Sequence, residues 1–427
     1  MPRAPRGVGR GLSRMLHSVD RLRHARILMY SHDTFGLGHL RRCRAIAHAL
    51  VERFKGLQVL IVSGSSIAGA FEFRTRVDFL KIPSIIKLYN GEYTPLVEHT
   101  DLQDTLALRR SVIQGTAESF RPDILLVYKE PLGLRGELEP TLRWLKARGA
   151  TLVLGLRDVM DSSELLAAEW ARADVLAKMD ALYDAVWVYG PRDFHDPLEG
   201  LDVPAGLRAR VGWTGFLRRE VPGGPTPTLA AMPSDALLVT VGGGGDGAEL
   251  MHQVIAAHDH DPTLDWPVVM VLGPFMKAEE RDDIRRRAAS HPALHLIDFD
   301  NRPEILMENA AGVVAMGGYN TFCEILSLDK RALIVPRVRP REEQMIRACR
   351  AANLGLVDVL LPEQAADPAR LAAALRDLPR RPVPSRSAYR TNLGGLDRIG
   401  DLVGSIMATR GGEGRGAVGP LRTGDGA

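Results

Sequence analysis

Two glycine-bearing turns, one at residues 30–42 and the other at 315–324, each join an apolar β-like run to a helix-like run. The first reads Tyr30-Ser31-His32-Asp33-Thr34-Phe35-Gly36-Leu37-Gly38-His39-Leu40-Arg41-Arg42, the second Ala315-Met316-Gly317-Gly318-Tyr319-Asn320-Thr321-Phe322-Cys323-Glu324. A buried strand that runs into a helix delivers its loop to the carboxyl edge of a sheet, where open α/β sheets bind ligands. Two such turns so far apart predict two halves facing one cleft.

The rest of the chain fits that frame. A length of 427 residues exceeds one ordinary core. Strand-like runs at Ile27–Ser31, Gln58–Ser63, Ile124–Lys129, Thr151–Arg157 and Ala185–Tyr189 alternate with helical spacing at His39–Phe54, Leu102–Phe120, Glu137–Arg148 and Ser163–Tyr183. The strands are continuous apolar runs, as expected of parallel strands covered on both faces. Val221-Pro222-Gly223-Gly224-Pro225-Thr226-Pro227 has linker composition. A second series follows, with strands at Ala236–Val241, Val268–Gly273, Leu294–Phe299, Gly312–Met316, Ala332–Pro336 and Leu356–Leu361 and helices that include Glu342–Ala352 and Pro368–Leu378. The expected fold class is α/β, with one Rossmann-like domain over 26–217 and a second over 230–390. A last helix within 391–409 is expected to pack back across a domain.

Residues 1–26 carry seven Arg and one acid, Asp20, so the chain's net charge of +3 resides in this arm and the remainder is slightly acidic. The body therefore gives no reason to expect nucleic acid. Residues 1–25 read as a disordered basic arm; the alternative is peripheral contact with an anionic membrane surface, where each Arg is worth roughly 1 kcal/mol. The arm has no apolar stretch of signal-peptide length, and no run reaches the ~18 apolar residues of a membrane span. Cys43, Cys323 and Cys349 lack metal or disulfide spacing and fit a reducing cytoplasm, with the inner membrane face as the alternative address. The Gly-rich stretch 410–427 reads as a disordered tail.

Four segments have the chemistry of a site. Gly36 and Gly38 permit a tight turn, and His39 falls at the start of the next helix, where backbone N–H groups and the helix dipole favour anions. The dipole disfavours imidazolium, so a neutral His39 would serve as general base; a simple helix cap is the alternative. Arg41 holds the third glycine position of a dinucleotide fingerprint, which weighs against a nicotinamide or flavin enzyme. In Gly242-Gly243-Gly244-Gly245-Asp246-Gly247, the glycines suggest close approach to phosphate or sugar, with a plain turn as the alternative. Asn320 and Thr321 open a helix after Gly317 and Gly318, a place for a diphosphate, and Glu324 one turn on suits paired ribose hydroxyls. In Pro336-Arg337-Val338-Arg339-Pro340-Arg341-Glu342-Glu343-Gln344, the Arg residues would neutralise a pyrophosphate and Gln344 would touch sugar hydroxyls, unless the loop is simply solvated. Asp259-His260-Asp261 and Asp298-Phe299-Asp300 lack further carboxylates nearby, so no metal is expected; Phe299 would border a nucleobase.

This order of motifs resembles the GT-B glycosyltransferases, and within them the MurG-like (family 28-type) group, which moves N-acetylglucosamine from a UDP carrier to a lipid-linked acceptor. The resemblance covers most of 26–390. It implies that Gly36, Gly38 and His39 form the glycine loop whose His helps deprotonate the acceptor, with Asp33 a possible helper. By the same likeness Gly242, Gly243, Gly244 and Gly245 lie near the diphosphate, as do Tyr319, Asn320 and Thr321; Glu324 holds the ribose and Gln344 the donor sugar. Gly212-Trp213-Thr214-Gly215-Phe216 resembles the approach to the interdomain linker, without the Pro usual there. Leu37 interrupts the Gly-Gly pair usual before the His, and Lys129-Glu130-Pro131 and Arg157-Asp158 match nothing in that group. The string Phe35–Cys43 also resembles a UDP-sugar hydrolase of the pseudaminic acid pathway. The expected activity is a metal-independent, inverting hexosyltransferase using a nucleotide-sugar, UDP-linked by the resemblance, with no cofactor and an acceptor that is a lipid-linked sugar, a glycan or a small molecule. The alternatives are a UDP-sugar hydrolase and a non-catalytic nucleotide-sugar-binding protein.

Overall fold

A computed structural model describes residues 24–32, 38–87, 92–97, 100–224, 227–230 and 232–413. Asp33, Gly36, residues 1–23 of the basic arm and residues 414–427 of the tail lie outside them.

The N-terminal half is built on β1 (Arg26–Ser31), β2 (Gln58–Ser63) and β3 (Val77–Lys81), a small antiparallel hairpin of β4 (Ile85–Lys87) and β5 (Tyr93–Pro95), and β6 (Ile124–Tyr128), β7 (Thr151–Arg157), β8 (Ala185–Tyr189) and β9 (Val211–Trp213). The hairpin apart, these strands form one parallel sheet in the order β3-β2-β1-β6-β7-β8-β9. The C-terminal half repeats the plan with β10 (Leu237–Thr240), β11 (Val268–Val271), β12 (Leu294–Ile297), β13 (Gly312–Ala315), β14 (Ala332–Ile334) and β15 (Asp358–Val359), ordered β12-β11-β10-β13-β14-β15. In each sheet the first strand has its successor on one side and a later strand on the other. The winding direction reverses at β1/β6 and at β10/β13, and such switch points open a crevice outside the carboxyl ends of the strands.

Local sequence explains the elements that flank these crevices. Helix α1 (Gly38–Arg53) buries Leu40, Cys43, Ile46, Ala47, Leu50 and Val51 along one stripe against the first sheet. Helix α2 (Leu102–Phe120) is started by Asp101, whose carboxylate accepts from the backbone N–H of Gln103 and Asp104, and ends at Arg121 in left-handed backbone. The stretch expected as one helix over Ser163–Tyr183 is two, Ser163–Ala171 and Val175–Leu182, because Asp174 takes φ +50° between them.

The stretch before the linker closes the first half. Residues 211–213 form the last strand of the first sheet, and Phe216 and Leu217 are fully buried in its core. Phe216 is hydrogen-bonded to Asn392 and Gly395, so the outgoing and returning chains run side by side between the halves. The return leads into α5, the last helix (Gly395–Glu413), which places Ile399 and Val403 against Leu50 and Phe54 of the N-terminal half. Arg53 fixes it by bonds to the Asp397 carbonyl and the Asp401 carboxylate. One apolar core continues across the division: Ile27, Leu40, Tyr128 and Phe216 share it with Tyr319, Phe322, Cys323 and Leu326 of α3 (Tyr319–Ser327).

Candidate active site at the seam between the halves

The first turns of α1 and α3 come together at Gly38 and Asn320, beside the ends of β6 and β7 and the glycine turn after β13. His39 stands half-buried in the first turn of α1. Its Nδ1 lies on the backbone carbonyl of His32. A carbonyl only accepts, so the ring proton sits on Nδ1 and Nε2 carries the lone pair. The ring meets Tyr128 edge-on at 5.1 Å between centroids. Burial first, then the charges of Lys129, His32, Arg157 and Arg42, hold its pKa well below the ordinary 6.5. The direction is the one expected from the helix dipole, but its main causes are desolvation and side-chain cations.

Opposite, Gly317 takes φ +78° at the end of β13, and Gly318 precedes α3 with open space where a side chain would stand. The first-turn amides of α3 face the same seam. Asn320 is already engaged there. Its Nδ2 donates to the Gly38 carbonyl at 2.9 Å, and its Oδ1 accepts from Arg219 at 2.8 Å and Arg42 at 3.2 Å. The Tyr319 ring turns into the shared core, with the Arg42 guanidinium 4.0 Å from its centroid, and Thr321 is half-buried at the helix start. Glu324 lies one turn on, as expected, but it is only 1 % exposed. One Nη of Arg41 bonds both Glu324 (2.7 Å) and Glu304 (2.6 Å), so a ribose at Glu324 would have to displace a side chain of the other half. Burial pushes the Glu324 pKa up, and the like charge of Glu304 opposes the pull of Arg41.

The glycine-rich loop has a packing explanation for part of its composition. A Cβ on Gly244, at φ +84°, would sit 2.2 Å from the Leu272 carbonyl, and one on Gly247 would sit 2.2 Å from Val241. Gly242 at φ +62° faces open space, while the Gly243 carbonyl accepts from Phe275. Gly245 lines a cavity of about 150 Å³ with Asp246, Met276 and Lys277. A larger one, about 490 Å³, lies farther out between His252, Arg287 and Pro368. Phe299, half-buried, packs onto the core that crosses the seam.

The arginine loop is heavily committed. Arg337 pairs with Asp246 and, at 2.8 Å, with Glu343, while its backbone N–H is capped by Gln344 Oε1 at 3.0 Å. Arg341 bonds Asp161 at 3.0 Å and Glu169 at 2.8 Å across the seam, and Arg339 is exposed. Among the described residues no group of three or more His, Cys, Asp or Glu is placed to hold a metal ion.

Sequence reasoning assigned no role to several N-terminal side chains at the seam. Lys129, in left-handed backbone at φ +69°, pairs with Glu130 at 2.9 Å, and that cation with His32 and Arg341 holds Glu130 well below the carboxylate range despite burial. Asp158 receives a two-pronged bond from Arg347 of α4 (Glu343–Asn353), both contacts 2.7 Å, with both side chains buried. Arg347 also donates to the Gly317 carbonyl at 3.1 Å, which ties the glycine turn to the other half. Arg42 lies between the Tyr128 and Tyr319 rings. The available signal was a charged pair directly after a buried apolar strand: Lys129-Glu130 after β6 and Arg157-Asp158 at the end of β7.

Comparison with known proteins accords with this geometry. Residues 237–388 match the glycosyltransferase family 28 C-terminal domain. A search of curated proteins finds no match. Similar solved structures include MurG of Acinetobacter baumannii (TM-score 0.56, 14% identity, 90% of this chain and 99% of that one). UGT71G1 of Medicago truncatula, solved with UDP-glucose, aligns at TM-score 0.60 and 13% identity over 91% of this chain and 99% of that one. A putative UDP-N-acetylglucosamine 2-epimerase of Listeria monocytogenes aligns at 0.57 and 14% over 90% and 97%. At such identities the likeness is one of fold. The chain has the GT-B fold, two Rossmann-like halves about a seam, and residues 237–388 of its C-terminal half are similar to the glycosyltransferase family 28 C-terminal domain.

Proposed function

We propose that this protein is a glycosyltransferase that takes a sugar from a nucleotide-sugar bound to the C-terminal half and transfers it with inversion to an acceptor bound to the N-terminal half. The observation that carries the reading is His39: a neutral imidazole, its Nδ1 proton fixed on the His32 carbonyl, at the seam opposite the first turn of α3 in the family 28 domain. Nε2 would take the acceptor proton as the acceptor oxygen attacks the anomeric carbon, opposite the departing diphosphate. The turn at Gly317 and Gly318 and the first-turn amides of α3 would hold that diphosphate. Glu324 would receive the ribose once Arg41 withdraws, a movement that the paired crossings at 214–217 and 392–395 would allow as a hinge.

A UDP-linked donor, a MurG-like lipid-linked acceptor and attachment to a membrane through the basic arm belong to the same proposal. No helix among the described residues is long and apolar enough to cross a membrane. The test is a screen of nucleotide-sugars against lipid-linked, glycan and small-molecule acceptors, following nucleoside diphosphate release. Acceptor-dependent release supports transfer. Release at the same rate with water alone makes the protein a hydrolase, and binding without release makes it a sugar-nucleotide-binding protein. No binding at millimolar concentration overturns all three.

A further inference from the structure

Cations and carboxylates at the seam pair off, with a remainder. Lys129 has Glu130, Arg347 has Asp158, Arg341 has Asp161 and Glu169, and Arg337 has Glu343 and Asp246. Arg41 bridges Glu304 and Glu324, beside Arg219. Among the described residues three guanidinium groups are left over: Arg219, which bonds Asn320 and the Arg41 carbonyl and has a buried Nε without a partner, and Arg42 and Arg157. Arg42 is 2 % exposed, touches no carboxylate, and has its Nε and Nη1 buried without a hydrogen-bond partner. Arg157, at the end of β7, has a buried Nε without a partner and reaches Glu343 only at 3.7 Å, where Arg337 is already bonded at 2.8 Å. Burying a guanidinium with unmet donors is costly unless an anion joins it.

The place of Arg157 says which anion. On one side is His39, whose protonation the Arg157 charge helps to suppress. On the other are Glu343 and Arg347, and Arg347 holds the Gly317 carbonyl. Arg157 is therefore close to Glu343 and, through it, to the arginine that holds the glycine turn, and its charge is felt at the candidate base. The cations that sequence favoured are occupied: Arg337 and Arg341 by carboxylates, with Arg339 out in solvent.

We infer that Arg157 is a catalytic residue of the N-terminal half that crosses the seam to contact the leaving nucleoside diphosphate, with Arg42 as a second positive charge behind it. This rests on the nucleotide-sugar reading. In the step, the bond from the anomeric carbon to the diphosphate oxygen breaks and its electron pair stays on the β-phosphate. The acceptor oxygen forms the new bond, and its proton passes to His39 Nε2. The guanidinium meets charge as it grows on the leaving group, so its contribution is larger in the transition state than in the bound donor. It also ties departure of the diphosphate to closure of the halves, because the cation and the glycine turn belong to different ones.

The experiment compares wild type, Arg157→Gln and Arg157→Lys for binding of UDP, TDP, GDP and ADP and of the matching monophosphates by calorimetry, and for turnover with the donor that the screen identifies. Arg157→Gln is expected to weaken the diphosphate that wild type binds by about 10- to 100-fold while leaving the monophosphate within a few-fold, which also shows that the site is folded. Its kcat should fall by about 10²–10³-fold. Arg157→Lys, which keeps the charge and loses the planar fork, should lie between, and millimolar guanidinium should restore part of the Arg157→Gln rate. Unchanged diphosphate affinity and kcat in Arg157→Gln overturn the inference while leaving the nucleotide-sugar reading intact, as does a loss found in Arg339→Ala and absent from Arg157→Gln. If wild type binds none of the diphosphates, the underlying reading falls and takes this inference with it.

Discussion

The two faces of the seam are made of different materials. The N-terminal half brings charged and titratable side chains on strand ends and on the first turn of α1: His39, Arg42, Lys129, Arg157 and Asp158. The C-terminal half brings side chains that are mostly committed to partners, and with them exposed main chain: the Gly317 turn, the first turn of α3, and two glycine loops that interlock at Gly244 and Gly273, where a Cβ on Gly273 would fall 2.7 Å from the backbone of Gly243 and Gly244. Main-chain amides hold an anion whatever sugar it bears, whereas side chains can be exchanged to suit an acceptor. On the proposed reading the C-terminal main chain would supply most of the grip and the N-terminal side chains the chemistry, with Arg157 serving both.

The strongest way to break that division is His39→Ala. If the N-terminal face does the chemistry, kcat falls by about 10²–10⁴-fold while the nucleoside diphosphate Kd stays within a few-fold. A Kd that worsens as much as the rate would put His39 in the grip. The two functions meet in the Asp158–Arg347 pair, which joins the faces. Asp158→Ala leaves a buried guanidinium without its carboxylate and should cost about 3–5 kcal/mol in denaturant unfolding. The double change Asp158→Leu with Arg347→Met should recover most of that loss, since an apolar pair of similar volume removes both buried charges. It should not recover activity, because the Gly317 carbonyl loses its tether.

On the C-terminal face the comparison sharpens to two glycines. Gly244→Ala should destabilise by more than about 1 kcal/mol, because its φ of +84° suits glycine and its Cβ would collide with the Leu272 carbonyl. Gly318→Ala should change stability by less than about 0.5 kcal/mol, since nothing lies within 4 Å of the added methyl, yet weaken diphosphate binding severalfold. Equal effects on binding would mean that both loops touch the ligand.

This contrast also explains what could be read in the sequence. Strands such as Ile124–Tyr128, apolar throughout and buried on both faces, announce themselves. Val77–Lys81 does not, because at the edge of its sheet only Val77 is buried and the rest is half-buried or exposed, and Val211–Trp213, three residues with a glycine at the centre, is too short for an apolar run to show. Main-chain sites leave local signatures, so the turns at Gly38, Gly242–Gly247 and Gly317–Gly318 were all visible. The reason for the glycines was visible only in part: at Gly244 and Gly247 it is packing against neighbouring backbone and Val241. Side-chain partnerships leave no local trace. Arg347 and Asp158 are 189 residues apart in sequence and Arg41 and Glu324 are 283 apart, and each partner alone resembles an ordinary surface charge. The cationic character of the N-terminal face was accordingly missed.

The smallest expected effect concerns acid. His39 is held neutral by burial and nearby cations, and His48, on the outer side of the same helix, is pushed down to about 4, by burial first and then by Arg44 and Arg74. A histidine whose folded pKa lies below its unfolded value near 6.5 contributes stability that is complete above that value. The contribution is lost as the pH falls from there toward the folded pKa, because the unfolded chain takes up the proton first. At one unit below 6.5 a fully shifted histidine costs about 1.4 kcal/mol, and the half-exposed His48 less. Thermal melts at pH 7.5, 6.5 and 5.5 should therefore show a falling melting temperature in wild type and a shallower fall in His39→Gln, whose side chain does not titrate. The acid limb of kcat/KM, which reports the free enzyme, should lie below pH 6.5. Binding of a nucleoside diphosphate should move the His39 imidazole titration, followed by NMR, upward, since an anion beside Arg157 offsets the charge that keeps imidazolium from forming. An imidazole titration that stays at the same pH with and without the ligand would separate the two faces and leave the anion too far from His39 for one to assist the other.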